Sequence, residues 1–414
     1  MKESKKAVFF TALVLVAALF LGTVSAWADN GSRIRPLSAA RAVLEHELVN
    51  LGDTGIVGVA HSETARELIV FVEDEDVMSR VPASVQGYPV SVEVTGRIEA
   101  LGAQVGDAPV YISEDRRGEV SPLVGGTSLS AWIRRGPLTV RYAGTLGMVT
   151  YDNKILSNAH VIAKEPDTGD FLDIGTPLVQ PGSGDGGTLA DRVGELEAYI
   201  PIDFGSNGRN YADAAIGSID TAVSVSPGEQ LGEGGSYWIQ GWTTVSKGDT
   251  VRKSGRTTGV TTGQVVHTNA SVWVTYGDQS AYFVDQIVVS QTNGSFAAPG
   301  DSGSAVDRDG EFVGLLFAGS ETHAVISKAV HIIRDLGIAV EPLEGWYSLS
   351  LSSTAGGSVT DPGEGMFLRE AATVVELVAE ADLHYRFVEW TGDVETVGDV
   401  YDAVTDVTMD SSYS

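Results

Sequence analysis

Three residues of the sequence have the types needed for nucleophilic catalysis: His160, Asp213 and Ser302, separated by 53 and 89 residues. A serine hydroxyl attacks well only when a base takes its proton, a carboxylate orients that base, and backbone N–H groups stabilise the oxyanion that forms. The sequence must therefore supply a nucleophile, a base, an orienting carboxylate and a turn that presents N–H groups.

The nucleophile and the turn occur together in Gly300-Asp301-Ser302-Gly303-Ser304. Glycine on both sides of Ser302 permits a tight turn, and such a turn can aim the N–H groups of Gly300 and Ser302 at one point. Taken alone, the pentapeptide is also compatible with an ordinary hairpin turn.

The base is best supplied by His160, which lies near the end of the β-rich run from Leu156 to Val161. A rigid strand would present the imidazole to a cleft, although a lone histidine in such a run is more often structural. The remaining histidines lack this setting: His46 and His61 near the N-terminus, His384 near the C-terminus, and His267, His323 and His331 between them.

The orienting carboxylate is best supplied by Asp213, within Tyr211-Ala212-Asp213-Ala214-Ala215-Ile216. Its small, apolar neighbours provide the environment that a histidine-orienting aspartate needs. The structural alternative is an ordinary turn before a strand. Asp203 and Asp220 are the nearby rivals, and each has a less apolar neighbourhood.

The elements that must position these residues lie in residues 120–341, where short β-rich runs alternate with Gly and Asp turns. The pattern predicts hairpins over residues 145–161 and 303–316 and a helix over residues 327–336. We therefore expect two packed β-barrels and a terminal helix.

Residues 33–118 have the pattern of a small α/β unit. Ser38 suits a helix N-cap, apolar residues follow at helical spacing, and Gly52 is expected to end the helix. The unit is compatible with a propeptide, a folding aid or a docking domain. Three β-rich runs follow the helix: Ile56–Ala60, Glu67–Glu73 and Val90–Val94.

Residues 1–28 have the pattern of a signal peptide. Lys2, Lys5 and Lys6 precede an apolar run over residues 7–21, and small residues favour cleavage after Ala28. An uncleaved membrane anchor is the alternative, but the run is shorter than the roughly 20 residues that a span needs. We expect a secreted or cell-envelope protein.

The composition excludes several classes of site. Without cysteine, neither thiol catalysis nor Cys-ligated zinc is available, and core burial must hold the fold without disulfides. The formal charge of −28 would repel nucleic acid, so no nucleic-acid partner is expected. We expect a protein or peptide substrate, and neither a required metal nor another cofactor.

The order His, Asp, Ser in these surroundings resembles the chymotrypsin-like (trypsin-like) serine peptidase family over about residues 120–340. The resemblance implies a double β-barrel with the triad in the cleft. His160 would be the general base, Asp213 its orienting partner and Ser302 the nucleophile, with the N–H groups of Gly300 and Ser302 as the oxyanion hole. The absence of cysteine and Ser304 in place of a glycine are more similar to bacterial members.

The same resemblance implies a substrate pocket walled by Phe296, Phe317, Ala318 and Gly319. The neighbouring segments contain no acidic residue, which disfavours a preference for Lys or Arg. His323 is similar in position to a pocket histidine of glutamate-specific relatives, with a surface or core role as the alternative.

The resemblance also suggests activation by cleavage of the chain before residue 123. Residues 123–126, Leu-Val-Gly-Gly, resemble the new N-terminus that activated animal members insert beside the aspartate preceding the nucleophile, here Asp301. Pro122 argues against a cut at that point.

Residues 345–414 are expected to form an all-β module, and they resemble the InlB B-repeat family. The resemblance implies a small β-grasp-like unit and contact with the cell surface or envelope. Members of that family usually continue into one last strand where this sequence reaches Ser414, so a complete and a truncated module are both compatible with the pattern. Tyr385, Phe387 and Trp390 are expected in its core. The matching segments are Tyr347–Leu349, Gly356–Thr360, Tyr385–Trp390 and Thr408–Asp410.

The sequence thus predicts a mainly β protein: a chymotrypsin-like double β-barrel with a small N-terminal α/β unit and a C-terminal β module. The leading functional hypothesis is an exported serine endopeptidase. A catalytically silent protease-fold binding or adhesion protein is one alternative. An α/β-hydrolase esterase is another, but its order is Ser, Asp, His, and Ser304 breaks the G-x-S-x-G pattern.

Overall fold

The computed structural model describes residues 36–48, 55–104, 116–205, 208–291, 296–342 and 345–413. The predicted signal peptide and the predicted helix end at Gly52 lie outside these ranges. Within them, no helix is both long and apolar enough to cross a membrane.

Strands greatly outnumber helices in the described residues. In chain order, the α-helices are α1 (Leu37–Leu48), α2 (Ala159–Ile162) and α3 (Ala329–Leu336). The strands before α2 are β1 (Ile56–Ser62), β2 (Glu67–Val72), β3 (Ser84–Val85), β4 (Tyr88–Val94), β5 (Glu99–Ala100), β6 (Ala103–Gln104), β7 (Leu123–Gly125), β8 (Thr127–Ala131), β9 (Arg134–Arg135), β10 (Leu138–Thr139), β11 (Tyr142–Leu146), β12 (Met148–Val149) and β13 (Ile155–Ser157). Those between α2 and α3 are β14 (Pro177–Val179), β15 (Arg192–Tyr199), β16 (Ala215–Ile219), β17 (Val225–Leu231), β18 (Ser236–Trp238), β19 (Thr250–Gly255), β20 (Gly259–Tyr276), β21 (Gln279–Ser290), β22 (Ala305–Arg308), β23 (Glu311–Gly319) and β24 (His323–Lys328). Those after α3 are β25 (Trp346–Leu351), β26 (Gly357–Asp361), β27 (Gly365–Glu370), β28 (Val374–Ala381) and β29 (Val404–Thr408).

The first barrel closes on itself. β8, β14, β15, β16, β13 and β12 pair in this order, and β12 continues β11 through Gly147. β11 pairs back with β8, which completes the ring. Leu129, Leu146 and Ile155 are fully buried in its core, so apolar burial holds the barrel together.

The second barrel closes in the same way. β19, β22, β23, β24, β21 and β20 pair in this order, and β20 pairs back with β19. The hairpin predicted over residues 303–316 is observed as β22 and β23, which turn at Asp309-Gly310 with both residues at positive φ. The helix predicted over residues 327–336 is observed as α3, which ends at Leu336 and is capped by Gly337 in the left-handed conformation. The predicted double β-barrel is confirmed.

The N-terminal unit continues the sheet of the second barrel. β2 pairs with β1 and β4, and β1 pairs antiparallel with β20, with Val59 opposite Ser271. Gly58 permits this approach, because a Cβ atom there would lie 2.2 Å from the Ser271 carbonyl oxygen. The three predicted strands are observed. The predicted N-cap at Ser38 is wrong: α1 begins at Leu37, which places Ser38 inside the first turn.

Residues 99–104 leave the N-terminal unit and enter the cleft between the barrels. β5 pairs with β20 and β23 of the second barrel, and β6 pairs with β11 of the first. The chain therefore crosses from one wall of the cleft to the other within six residues.

The C-terminal residues form a separate all-β module. β25 pairs with β27, and β28 lies between β26 and β29. Trp390 packs against its core, but Tyr385 is 62% exposed, so the expectation that Tyr385 belongs to the core is wrong. The core itself consists of Leu349, Val375, Leu377, Val407, Met409 and Tyr413.

Candidate active site

His160 lies at the cleft on a single turn of helix. β13 ends at Ser157, and α2 begins at Ala159, so the imidazole is presented by α2 and not by the strand end that the sequence suggested. The Asn158 amide donates to the Asp213 carbonyl at 2.6 Å, which ties this turn to the segment before β16. His160 is 8% exposed, so its ring is largely shielded from water.

Asp213 is fully buried and holds His160 at two points. Its Oδ1 accepts from the His160 backbone N–H at 3.1 Å, and its Oδ2 lies 2.6 Å from His160 Nδ1. Because a carboxylate only accepts, Nδ1 carries the proton, and Nε2 is the acceptor nitrogen of the neutral ring. The rivals have other roles: Asp203 accepts from the Gly205 N–H, and Asp220 pairs with Arg192.

The environment of Asp213 keeps it ionised. Burial would raise the pKa of its carboxyl, but the charge and hydrogen bonds of His160 and the Tyr276 hydroxyl outweigh burial and hold the pKa below its usual value. Tyr276 donates to Asp213 Oδ2 at 2.8 Å from the end of β20. Burial and the neighbouring Asp213 charge raise the pKa of Tyr276 well above its usual value, so it remains a donor.

Ser302 completes the line of contacts. Its Oγ lies 2.8 Å from His160 Nε2 and 3.2 Å from the Phe317 carbonyl oxygen. Gly300 and Gly303 take φ values of 97° and 95°, which a side chain would oppose, so both glycines are required by the turn. The structure thus brings together the three residues predicted to form a triad.

Thr145 of the first barrel anchors the turn that carries Ser302. Its N–H donates to the Ser302 carbonyl at 2.8 Å, and its Oγ1 donates to the Gly300 carbonyl at 2.9 Å. Nothing in the local sequence marks Thr145 or Tyr276 as site residues, because both reach the triad only through the packing of the two barrels.

Asp301 is held by a buried cation from β19. Lys253 Nζ lies 3.5 Å from Asp301 Oδ2, both side chains are fully buried, and the N–H groups of Thr257 and Thr258 donate to Oδ1. Burial lowers the pKa of Lys253, and the Asp301 charge opposes that shift. Ser304, in place of a glycine, donates to the Asp301 carbonyl at 2.6 Å.

The alternative of an inserted N-terminus finds no support at Asp301. Leu123–Gly125 forms β7, which pairs in parallel with β17. Lys253 supplies the positive charge that a new N-terminus would otherwise provide. The turn around Ser302 therefore has its electrostatic support in the uncut chain.

The four predicted pocket residues lie near the segment that ends at Leu101, through backbone pairing or through a shared apolar cluster. The Leu101 N–H donates to the Phe317 carbonyl at 3.1 Å, and Ala318 and Gly319 pair with Ala100 and Glu99. The side chain of Leu101 is 7% exposed and belongs to one apolar cluster with Phe296 and Ala297.

The other histidines of the barrels have partners elsewhere. His331 Nε2 lies 2.8 Å from Asp285, and His267 Nε2 lies 2.8 Å from Glu93. His323 contacts the Thr322 hydroxyl, and burial lowers the pKa of its ring. The esterase alternative needs a histidine that follows the nucleophile in the chain, whereas Ser302 contacts His160, which precedes it.

Comparison with solved structures finds serine proteases. A chymotrypsin of Cellulomonas bogoriensis is 19% identical, with 52% of this chain and 97% of that chain covered and a TM-score of 0.38. Protease A of Thermobifida fusca is 16% identical (53% and 97% covered, TM-score 0.37). A glutamic-acid-specific serine protease that uses a histidine triad in substrate binding is 20% identical (53% and 100% covered, TM-score 0.37). With identities and TM-scores this low, the evidence for the double β-barrel is the strand pairing of this chain itself.

Comparison of sequences concerns the C-terminal module. No curated protein sequence matches the chain. Residues 347–414 match the family model of the divergent InlB B-repeat domain, which confirms the resemblance predicted for this module.

Proposed function

We propose that the chain is an exported serine endopeptidase that hydrolyses peptide bonds through an acyl-enzyme on Ser302. The observation that carries the proposal is the continuous line from Asp213 Oδ2 to His160 Nδ1 at 2.6 Å and from His160 Nε2 to Ser302 Oγ at 2.8 Å. This line provides an oriented base and a nucleophile within hydrogen-bond reach, as covalent catalysis requires.

In the proposed reaction, Ser302 Oγ attacks the substrate carbonyl carbon while His160 Nε2 takes the hydroxyl proton. The Asp213 carboxylate stabilises the imidazolium, and the N–H groups of Gly300 and Ser302 receive the oxyanion. His160 then gives the proton to the leaving amine. A water molecule repeats the sequence on the ester and releases the acid.

The proposal extends to location and substrates. Export is supported by the signal-peptide pattern of residues 1–28. The match of residues 347–414 to the divergent InlB B-repeat domain supports contact with a cell surface or envelope through that module. The substrate would be a protein or peptide, because β23 pairs along the cleft with extended backbone, as it would with a bound peptide strand.

The test is labelling with a fluorophosphonate probe. The secreted wild-type chain and Leu101→Asp are both treated, because Leu101 of the wild type clusters with the proposed pocket residue Phe296 and the charged variant should vacate that site. Labelling of Leu101→Asp that is lost when Ser302→Ala or His160→Ala is added would support the proposal. Absence of labelling in both chains, with native circular dichroism, would overturn it and favour a catalytically silent binding protein.

A further inference from the structure

The segment over residues 98–104 lies in the cleft where a peptide substrate would bind. We propose that the chain cuts itself at the Leu101–Gly102 peptide bond, and that the residues before this bond form a propeptide that stays bound as an inhibitor. The proposal rests on the proposed endopeptidase function. It assigns the cut bond, the pocket residue and the fate of the N-terminal unit.

The backbone on the N-terminal side of the bond is held as an added strand. Ala100 and Glu99 pair antiparallel with Ala318 and Gly319, and the Leu101 N–H donates to the Phe317 carbonyl at 3.1 Å. Extended peptides are recognised in this way when they complete the edge of a sheet. The pairing fixes which residue stands opposite Ser302, because a shift by one residue would turn every side chain to the other face.

The carbonyl of Leu101 points at the proposed oxyanion hole. The Gly300 N–H donates to the Leu101 oxygen at 2.6 Å. A carbonyl that accepts from this donor is polarised for attack, and its oxygen already occupies the place where negative charge would develop. The Leu101 carbonyl is therefore the one presented to the nucleophile.

The residue after the bond lies against the base. A Cβ atom at Gly102 would lie 3.5 Å from His160 Cδ2 and 3.8 Å from His160 Nε2, so the Gly102 backbone contacts the ring that must protonate the leaving nitrogen. Beyond it, Ala103 pairs with Ala143 of the first barrel. The two sides of the bond are thus held by different barrels.

The side chain before the bond fills an apolar pocket. Leu101 clusters with Phe296 and Ala297, and a Cβ atom at Gly319 would lie 3.6 Å from Leu101 Cδ1. A side chain at residue 319 would therefore narrow the pocket. We expect the same pocket to select leucine-sized apolar residues in other substrates, because a charged side chain would lose its hydration there.

The reaction balances with water as the only co-reactant. Ser302 Oγ forms an ester with the Leu101 carbonyl carbon, and the bond from that carbon to the Gly102 nitrogen breaks. His160 carries the Ser302 proton to the Gly102 nitrogen, which leaves as a free amine. Water then hydrolyses the ester, which regenerates the Ser302 hydroxyl and leaves Leu101 with a carboxylate.

The contacts of the N-terminal unit explain why it would remain bound after the cut. β1 stays paired with β20, Arg41 Nη2 donates to Ser271 Oγ at 2.6 Å, and Arg209 Nη1 lies 2.6 Å from Glu45 Oε1. None of these contacts involves the cut bond. The Leu101 carboxylate would therefore remain in the cleft and block other substrates.

The experiment is intact-mass measurement and N-terminal sequencing of the full secreted chain, purified as wild type and as Ser302→Ala from the same host. We expect the wild type to contain two co-eluting fragments, one ending at Leu101 and one beginning at Gly102. Ser302→Ala should remain a single chain. The rate of cutting should not change with protein concentration, because the reaction is intramolecular.

Matched variants at the pocket residue test the assigned bond. Leu101→Met keeps an apolar side chain of similar volume and should be cut within about 10-fold of the wild-type rate. Leu101→Asp should be cut at least about 100-fold more slowly, because its charge would be buried without a partner. Circular dichroism of both variants checks that the fold is retained.

The outcomes separate this inference from the proposed function. If Ser302 reacts with the fluorophosphonate probe but the chain stays intact or is cut elsewhere, the self-cleavage proposal is overturned and the endopeptidase proposal stands. A cut after Leu101 that also occurs in Ser302→Ala overturns self-cleavage by assigning the cut to a host protease. A folded chain that shows neither labelling nor cutting overturns both.

Discussion

The two units that flank the barrels are joined to them in different ways. The N-terminal unit shares a sheet with the second barrel through β1 and β20, and its cluster of Leu44 and Val70 includes Tyr282 of the barrel. The C-terminal module has a core made only of its own residues. A unit that shares sheet and core with the two barrels can act on the cleft, whereas a module with a separate core is suited to an independent role.

β20 is the strand that connects the N-terminal unit to Asp213. It pairs with β1 through Ser271 and Val272, pairs with β5 at Thr275, and ends at Tyr276, whose hydroxyl contacts Asp213. β1, β5 and Asp213 therefore all contact β20 within six consecutive residues, 271–276. The C-terminal module has no comparable connection to the triad among the described hydrogen bonds.

The largest effect is expected at Asp213, because the proposed self-cleavage that separates the N-terminal unit requires this carboxylate. Asp213→Asn should slow self-cleavage, and in a Leu101→Asp background also fluorophosphonate labelling, by about 10⁴-fold, because an amide does not hold the reactive tautomer of His160 or stabilise its imidazolium. The N-terminal unit should then stay covalently attached. Asp220→Asn is the control, since Asp220 pairs with Arg192 and should change the rates less than about twofold.

Gly58→Ala is expected to break the shared sheet. Its Cβ would lie 2.2 Å from the Ser271 carbonyl oxygen, so β1 must move away from β20. We expect the clash to weaken binding of the cut N-terminal fragment by about 2 kcal/mol, which raises its dissociation constant about 30-fold. Size-exclusion chromatography of the cut protein measures this loss.

Gly235→Ala is the matched control, because a Cβ atom at Gly235 meets no atom within 4 Å. Unchanged retention of the fragment in Gly58→Ala would contradict the view that the shared sheet holds the unit.

Tyr276→Phe should have a smaller effect that links β20 to the triad. It removes one donor to Asp213, which should raise the pKa of that carboxyl and slow self-cleavage by about 10-fold. The hydrogen bond stabilises the ionised form, so its contribution to folding is present above the unfolded pKa of about 3.9 and is lost as pH falls through the lower folded value.

Denaturant unfolding of Tyr276→Phe and wild type at neutral and acidic pH tests this sign. The stability difference, about 1 to 2 kcal/mol at pH 7, should shrink towards the acidic pH. A difference that grows on acidification would refute the assigned role of the tyrosine.

The smallest catalytic effect is expected in the C-terminal module. Leu377→Ala removes a side chain that is 2% exposed in the module core, which should destabilise the module by about 2 to 5 kcal/mol. Self-cleavage should change less than about twofold. Calorimetry should show a lowered transition for the module alone, and a slowed cut would mean that the module and the cleft are coupled.

Local patterns predicted the parts of the site that lie on turns. Gly300 and Gly303 marked the nucleophile, and the apolar run around Asp213 marked a buried carboxylate, because both signals are contained in adjacent residues. Tyr276 and Lys253 gave no such signal. Tyr276 ends a long β-rich run and Lys253 lies in a short polar strand, and only the packing of distant strands brings them to Asp213 and Asp301.

Leu101 is the clearest case of a site residue that sequence patterns do not reveal. It ends a short stretch with ordinary composition, and its role depends on pairing with Phe317 and Ala318, more than two hundred residues later. The strands of the N-terminal unit were predictable from their β-rich runs. The pairing of β1 with the barrel strand β20 was not predictable, because it depends on the missing side chain at Gly58.

The pairing of β1 with β20 has a consequence for the timing of activity. In the uncut chain, the cleft segment is tethered, so its effective concentration at the cleft is set by the chain itself and dilution does not remove it. Once the bond after Leu101 is cut, the same contacts form a complex of two chains that obeys mass action. Release into a large external volume would then relieve inhibition, whereas protein kept at high local concentration would remain silent.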